Sequence, residues 1–329
     1  MGKKMLGVDI GYDCLKLALC KDGQIKKCAI EPMPENLIKG GRVISSESLG
    51  EAIRAAMKKH GIRSSRAALV LPNEMCYVRS VTMPPMNAEQ LAFNLPYEFN
   101  DYITDELKDY TFDYAMISDP KTDPSAPMEL MAVAIHTAIL NEGRDYLNRA
   151  GLKLVKAAPV EYAYISLIRR LQRSRGAEGE YCILDLGFRA VRMFMYKGDR
   201  HIVTRVLEIG LSSLDSIIAD TLNIDPHLAH TYLLSNHEDC QNQDYCVNAY
   251  NNIAVELMRA LNFYRFSNRE SELNDVWLCG GGASLPRLRQ AIGESLGTTL
   301  HSIEELLPAG NEAIPNAGDY AMALAVTMD

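Results

Sequence analysis

The sequence predicts an α/β protein built from two related lobes, with an additional module set into the first. The first observation behind this is a repeat. The stretch Met5–Leu19, which reads LGVDIGYDCLKLAL from residue 6, has a counterpart at Tyr181–Tyr196, with Asp9-Ile10-Gly11 matched by Asp185-Leu186-Gly187 at an offset of 176 residues. The second is that the same offset carries Lys21-Asp22-Gly23 onto Lys197-Gly198-Asp199. In each copy an apolar strand ends in Asp-x-Gly, a second strand runs to a Lys/Asp/Gly turn, and a third returns, at 25–30 and at 202–209. The third is a segment at about 75–155 with no counterpart in the second half.

Bulk properties bound the functions. At 329 residues the chain is long enough for about two domains. A net charge of −8 without a basic stripe argues against nucleic acid as a partner. Eight scattered cysteines, several in apolar strands (Cys14, Cys20, Cys182, Cys279), read as buried thiols of a reducing compartment. Asp9 interrupts the first apolar run too early for a signal peptide, and no window approaches a membrane span of about 20 apolar residues. The expectation is a soluble, cytoplasmic protein with no direct membrane insertion.

Along the chain, residues 31–43 read as a polar connection. Ser48-x-x-Glu51 has the form of a capping box, and Leu49, Ile53, Ala56 and Met57 then share a helical face that Gly61 closes. Residues 67–71 form a short buried strand. The insert reads as strand (75–83), helix (87–102, broken at Pro96) and two strands (110–117 and 131–135) around a proline-containing loop at 119–127. A helix from Thr137 to Gly151, a strand at 154–158, a helix at 160–173 and a linker at 174–180 lead to the second lobe. There Gly210 opens a helix to Leu222, and Asp225-Pro226 opens another. Residues 236–246 read as a polar loop and 251–266 as an amphipathic helix. Val276–Cys279 is a strand ending in Gly280-Gly281-Gly282, followed by a helix at 285–296. A small-residue helix at 317–328 is short enough to pack back on the first lobe.

The repeated Asp-x-Gly has a chemical logic. Glycine leaves backbone N–H groups open to phosphate oxygens, and a carboxylate beside the turn suits Mg²⁺, which takes one or two carboxylates together with substrate phosphate. A strand–GGG–helix adds a third glycine-rich approach at a helix N-terminus. Each Asp-Gly alone is equally a hairpin turn; the three together point to nucleotide. His227, His230, His237, Cys240 and Cys246 are zinc-type ligands whose spacing fits no metal pattern. Glu256 and Arg259 are spaced to reach a base or ribose, or to form a surface ion pair. Met83–Met86 with Leu91, Phe93, Leu95 and Phe99 offers core and, on the insert, a groove.

The order Asp-x-Gly hairpin, insert, Asp-x-Gly hairpin, glycine turn and strand-GGG resembles the actin/Hsp70/sugar-kinase superfamily. Along most of the chain it is similar to the PilM family of actin-like type IV pilus assembly proteins, relatives of the division protein FtsA. The resemblance is carried by LGVDIGYDCLKL at 6–17, LPYEFNDYI at 95–103, DYLNRAGLKLVKAAPVEYA at 145–163, ILDLGFRAVRMFMYKGD at 183–199, ELMRALNFYRF at 256–266 and WLCGGGASLPRL at 277–288. It implies a duplicated actin-like (ribonuclease H-like) two-lobe α/β fold with an inserted strand–helix–strand–strand subdomain. The implied division is 1–74, 156–176 and 312–329 for the first lobe and 75–155 for the insert. The second lobe would have its core at 177–211 and 276–311 and a helical subdomain at 212–275.

Carried over by position, Asp9, Gly11 and Lys16 belong to a first phosphate loop, flanked by Tyr12 and Asp13. Asp185 and Gly187 form a second, flanked by Phe188 and Arg189, with Gly210 nearby. Gly280, Gly281 and Gly282 lie along an adenosine, and Asp9 and Asp185 hold Mg²⁺ with ATP, if nucleotide is bound. The sequence departs from the family where small hydroxyl residues are usual: Tyr12-Asp13 and Phe188-Arg189 stand there. Asp13 repels a triphosphate, and Arg189 either binds phosphate or fills the site itself. Weak or absent ATP binding and negligible turnover are therefore expected, in a degenerate site.

The resemblance implies a component of a pilus, secretion or competence machine. It would sit at the inner face of the cell membrane through a PilN-like inner-membrane protein, whose cytoplasmic N-terminal peptide lies in a groove of the first lobe and insert. The alternative is an ATP-dependent small-molecule kinase or ATPase of the same superfamily. That chemistry needs a carboxylate to deprotonate an acceptor hydroxyl, and the sequence offers no acid in a distinctive context. A division role is disfavoured because no Lys-rich amphipathic helix closes the chain.

Overall fold

The computed structural model describes residues 4–117, 126–175 and 179–328. Parts of the expected loop at 119–127 and of the expected linker at 174–180 lie outside these. The chain divides into two compact units: Met1–Gly176, Asp199–His201 and Pro308–Asp329 in the first, Ala177–Gly198 and Ile202–Leu307 in the second.

The first unit starts with an antiparallel meander, β1 (Met5–Ile10), β2 (Cys14–Lys21) and β3 (Gln24–Pro32). Asp22 and Gly23 turn β2 into β3 with φ of 52° and 75°, the left-handed pair that a two-residue hairpin matched to strand twist requires. The connection expected at 31–43 carries a small ribbon, β4 (Ile38–Lys39) and β5 (Arg42–Val43). Then come α1 (Ser46–Lys59) and β6 (Arg66–Leu71), which pairs parallel to β1. The helix cap is Ser45, whose side chain accepts from the Ser48 N–H; Ser48 is therefore the third helical residue and not the cap that its spacing to Glu51 predicts.

The insert is β7 (Cys76–Met83), α2 (Ala88–Asn94), β8 (Tyr110–Met116) and β9 (Met128–His136). Its strands form a separate antiparallel sheet in the order β7-β9-β8. Asn87 caps α2 and exchanges bonds with Gln90, and the α-helix ends at Asn94, giving way to a 3-10 turn that holds Pro96. Met83, Leu91, Leu95 and Phe99 bury against Leu130 and Ala132 as the small core of this sheet.

Beyond β9, α3 (Thr137–Arg149) and β10 (Lys153–Pro159) return to the main sheet. β10 pairs parallel with β6, and Leu147 of α3 shares a core with Leu49 and Ile53 of α1. The insert's own sheet thus closes at 136, not at the expected 155, because the apolar face of α3 is needed by the first sheet. The helix α4 (Val160–Arg175) follows.

The second unit repeats the plan with β11 (Glu180–Leu186), β12 (Val191–Lys197) and β13 (Arg200–Leu207). Next are α5 (Leu211–Leu222), α6 (Pro226–Ser235), α7 (Asp244–Ser267), β14 (Asp275–Cys279), α8 (Pro286–Leu296) and β15 (Thr299–Ser302). The residues expected as a loop at 236–246 include a 3-10 turn at 237–242 and the first turn of α7. That helix starts at Asp244, seven residues before the predicted start, because Cys246 and Tyr250 belong to its buried face.

The two main sheets share one topology: β3-β2-β1-β6-β10 in the first unit and β13-β12-β11-β14-β15 in the second. The 176-residue offset survives into the register. Asp9 sits opposite Lys16 in one hairpin, and Asp185 opposite Arg192 in the other.

Both faces of the first sheet are covered. Leu6, Val8, Leu69 and Leu71 point to α1 and α3, while Ala68, Val70 and Ala158 point to the other side with Val326. The C-terminal helix there is shorter than the predicted 317–328: a 3-10 turn (Ala317–Tyr320) leads into α9 (Ala321–Ala325). It lies so close to β1 that a Cβ on Gly7 would fall 1.6 Å from the Ala323 carbonyl oxygen.

Candidate functional site

The predicted nucleotide residues fall into one cluster in each unit, both at the carboxyl ends of parallel strands, where open α/β sheets bind ligands. In the first unit Gly11 follows β1 and closes the turn by donating its N–H to the Cys14 carbonyl at 2.9 Å. Lys16 stands across from Asp9, a cross-strand pairing that sets a cation beside the carboxylate. Asp13 is anchored by its carbonyl, which accepts from the Met33 N–H. Tyr12 turns toward the ribbon and lines a small, largely apolar cavity with Ile10, Ile38 and Met75; a Cβ on Gly41 would lie 3.4 Å from its hydroxyl.

Sequence reading passed over one acid in this unit. Glu161, in the first turn of α4 directly after β10, is buried, and one carboxylate oxygen accepts from the Asn73 side chain just beyond β6. Its signal was an acid two residues after a strand-ending Pro159, at a helix N-terminus, where the macrodipole favours negative charge.

The second unit brings Asp185, Gly187, Phe188, Arg189, Gly210, Gly280 and Gly282 together around the end of β11. A Cβ on Gly280, whose φ is +82°, would lie 2.4 Å from Asp185 Oδ1, and one on Gly282 would lie 2.9 Å from Leu186 Cβ. A Cβ on Gly210 would meet the Phe188 carbonyl oxygen at 2.4 Å, and one on Gly187 the Ala190 carbonyl at 2.8 Å. These glycines let residue 210 and the stretch 280–282 come close against the stretch 185–190. Gly281 is looser, its nearest neighbour being Leu211. Arg192, the counterpart of Lys16, was legible from the repeat but was not predicted as a site residue.

Two details bear on whether this cluster suits phosphate. The N–H groups of Leu211 and Ser212, at the N-terminus of α5, donate to the Gly187 and Phe188 carbonyls at 3.1 and 2.8 Å. The turn thus uses two of the donors that a helix N-terminus usually offers an anion. Phe188 is anchored edge-on to His230, with ring centroids 5.5 Å apart. Glu256, the expected adenosine contact, is ion-paired with Arg259 one helical turn away.

The histidines and cysteines of 227–246 are spread over separate partners. His230 Nδ1 bonds Asp215 Oδ2 at 2.9 Å, His237 packs on Tyr232, and the Cys240 thiol donates to the Tyr232 carbonyl. Among the described residues no group of three or more His, Cys, Asp or Glu side chains could hold a metal ion. Burial raises the Cys246 thiol to about 11, Cys14 to about 11, and Cys20 and Cys182 to about 12. These thiols fill cores and are poor nucleophiles or ligands.

A different feature lies between the insert and the main sheet of the first unit. A cavity of about 310 Å³ is lined by Asp113–Met116 of β8, Met131 and Val133 of β9, Lys156–Pro159 of β10, and Tyr162 and Arg169 of α4. The strands β8 and β10 are each the last in their sheet order, so the edges of two sheets border one groove.

The sequence matches the family described as type IV pilus assembly protein PilM over residues 7–307. The chain belongs to the PilM family. Among solved structures it is similar to the PilM-PilN type IV pilus biogenesis complex, at 21% identity and a TM-score of 0.83, covering 99% of this chain and 98% of that one. It is also similar to the ethanolamine utilization protein EutJ from Carboxydothermus hydrogenoformans, at 14% identity and a TM-score of 0.60 over 99% and 89% of the two chains. A third is MreB5 of Spiroplasma citri bound to ADP, at 9% identity and a TM-score of 0.54 over 99% and 95%. The fold is the actin-like α/β fold that the resemblance implies. PilM membership favours assembly over the kinase alternative. Among the described residues no helix is long and apolar enough to cross a membrane.

Proposed function

We propose that this PilM-family chain is a cytoplasmic assembly component that takes the N-terminal peptide of a PilN-like inner-membrane protein into the groove between its insert and its first sheet. The observation that carries this is the convergence of β8 and β10 on the cavity of about 310 Å³. An edge strand presents backbone N–H and C=O groups to an added strand, which supplies affinity, and pockets for alternate side chains supply selectivity. Met116, Met131 and Val133 offer apolar seats; Asp113, Lys156 and Arg169 supply charge. Held this way, the chain sits at the inner face of the membrane through its partner.

Each unit is taken by itself as a phosphate approach: Gly11 with Asp9 in the first, and the glycines at 187, 210 and 280–282 with Asp185 in the second, the two carboxylates being the groups that would hold Mg²⁺. When bound, ATP would supply phosphate oxygens as acceptors for backbone N–H groups. Asp13 and the occupied N–H groups of Leu211 and Ser212 weaken that binding, so negligible turnover is the expectation. Micromolar Mg-ATP affinity by calorimetry, followed by steady phosphate release, would contradict it.

The peptide proposal is tested by fluorescence anisotropy, with a labelled peptide from the N-terminus of a PilN-like protein of the same organism. Saturable binding that Val133→Asp weakens at least tenfold, with an unchanged circular dichroism spectrum, is the expected result. No binding to the wild-type chain, or equal binding to the variant, would overturn it.

A further inference from the structure

A feature not used above lies at the opposite end of the first sheet. A cavity of about 590 Å³ opens where β1 and β6 begin, lined by Met5, Arg66, Lys156, the Asp22–Gly23 turn, α4 and the C-terminal Thr327 and Met328. Met5 and Gly11 are six residues apart on or beside one strand, which puts this cavity about 20 Å from the Asp-x-Gly turn. It is a separate site.

Its lining is basic in an acidic protein. Five cations face it, Arg66, Lys156, Arg169, Arg170 and Arg173, against one carboxylate, Asp22. They converge from three elements. Arg169, Arg170 and Arg173 fall with Ser166 at i, i+3, i+4 and i+7, one face of α4. Arg66 opens β6, and Lys156 follows a bulge in β10, where the pairing with β6 slips between Leu154 and Lys156. Bulges re-aim side chains and recur beside ligand sites.

Two of the cations are committed. Arg169 holds Asp199 at 2.8 Å and also donates to the Met116 carbonyl, and Lys156 donates to the Met328 carbonyl. Arg66 is different: its Nε is buried and has no hydrogen-bond acceptor among the described residues. A buried guanidinium donor without an acceptor is costly, and a bound anion removes that cost. The arginines near the end of α4 would complement the helix dipole in any case. That accounts for Arg170 and Arg173, but not for Arg66 arriving from a strand.

We propose that this cavity binds a small phosphate-bearing anion, with a phosphoryl group against Arg66 and further negative charge at the Arg170–Arg173 rim. Guanidinium forks match phosphate oxygens in bidentate geometry, and the volume is that of a small-molecule pocket, not a flat docking face. The phosphate is either free or carried on a lipid headgroup; the recognition chemistry is the same. The site does not depend on the peptide groove, although Lys156 and Arg169 line both.

The test uses the full chain in EDTA, which removes Mg²⁺-dependent binding at the Asp-x-Gly turns, with inorganic pyrophosphate followed by calorimetry and ³¹P NMR. Vesicles containing phosphatidic acid are tested in parallel by flotation. Saturable pyrophosphate binding, or flotation with the vesicles, weakened at least tenfold by Arg66→Gln and by the exposed pair Arg170→Gln/Arg173→Gln, and unchanged in Asp185→Asn, supports the proposal. The exposed pair keeps the test valid if Arg66→Gln fails to fold. Absence of both kinds of binding at millimolar phosphate would overturn it, as would binding that these variants leave intact. So would capture of an Asp/Glu-rich peptide by a chain that ignores both phosphate probes.

Discussion

Gly280 and Asp185 meet with no room for a side chain between them: a Cβ on Gly280 would come within 2.4 Å of Asp185 Oδ1 and 2.7 Å of the Leu186 carbonyl oxygen. The parallel pairing of β11 with β14 runs out there, at Asp185 opposite Cys279. Gly280 is therefore needed by the second unit's own packing, whatever it does for a nucleotide.

Gly280→Ala combines a left-handed backbone, at φ +82°, with this clash. It should destabilise the second unit by roughly 2–4 kcal/mol, the range of a strained φ plus local overpacking. Gly297→Ala, also left-handed at φ +59° but with nothing within 4 Å of its Cβ, isolates the backbone part and should cost only about 1 kcal/mol. Urea unfolding of both variants checks the difference. Equal losses would mean that the approach to Asp185 relaxes without strain.

Gly7→Ala makes a contrasting case in the first unit. Its Cβ would meet the backbone of α9, which cannot yield as a flexible side chain can. The expected outcome is release of residues 317–328 while the meander stays folded, since Leu6 and Val8 pack on the opposite side with α1 and α3. Hydrogen exchange should show lost protection confined to that segment and to the face of β1 beneath it.

The duplication was readable because Asp-x-Gly and the hairpin turns need particular residues at fixed spacing, and Asp9 and Asp185 duly carry the same cross-strand register. What the sequence misplaced depended on tertiary choice. Ser45 and Ser48 are both competent caps, and only the placement of the first turn selects between them. Cys246 reads as part of a polar loop until the second unit's core claims it. The insert's end was misjudged because α3 is amphipathic in either setting, and only the partner of its apolar face assigns it. The basic cavity gave no local signal at all, since Arg66, Lys156 and Arg173 meet only after three separate elements fold.

His201 offers a pH test. Burial pushes its pKa from 6.5 down to about 4, so it stays neutral in the folded chain while the unfolded chain takes up a proton. The unfolded state therefore binds more protons between about pH 6.5 and 4, and stability falls as pH drops through that window. The loss is on the order of 1–3 kcal/mol by pH 4.5. The measurement is the difference between wild type and His201→Gln in urea melts at pH 7 and pH 5. A variant that keeps the full wild-type slope would show that His201 is not its source.

Asn73 and Glu161 test whether the buried acid of the first unit is held as an anion. The Asn73 amide donates to the Glu161 carboxylate, so Asn73→Ala removes a charge-assisted bond and should cost about 1.5–3 kcal/mol. Asn73→Asp is the sharper variant, because it replaces the donor with a second carboxylate beside a buried one. Two adjacent carboxylates cannot both ionise cheaply, so Asn73→Asp should cost more than Asn73→Ala at pH 7. Urea unfolding of both variants at pH 7 compares them, and equal losses would mean that the two carboxylates do not face each other as a charged pair in the native chain.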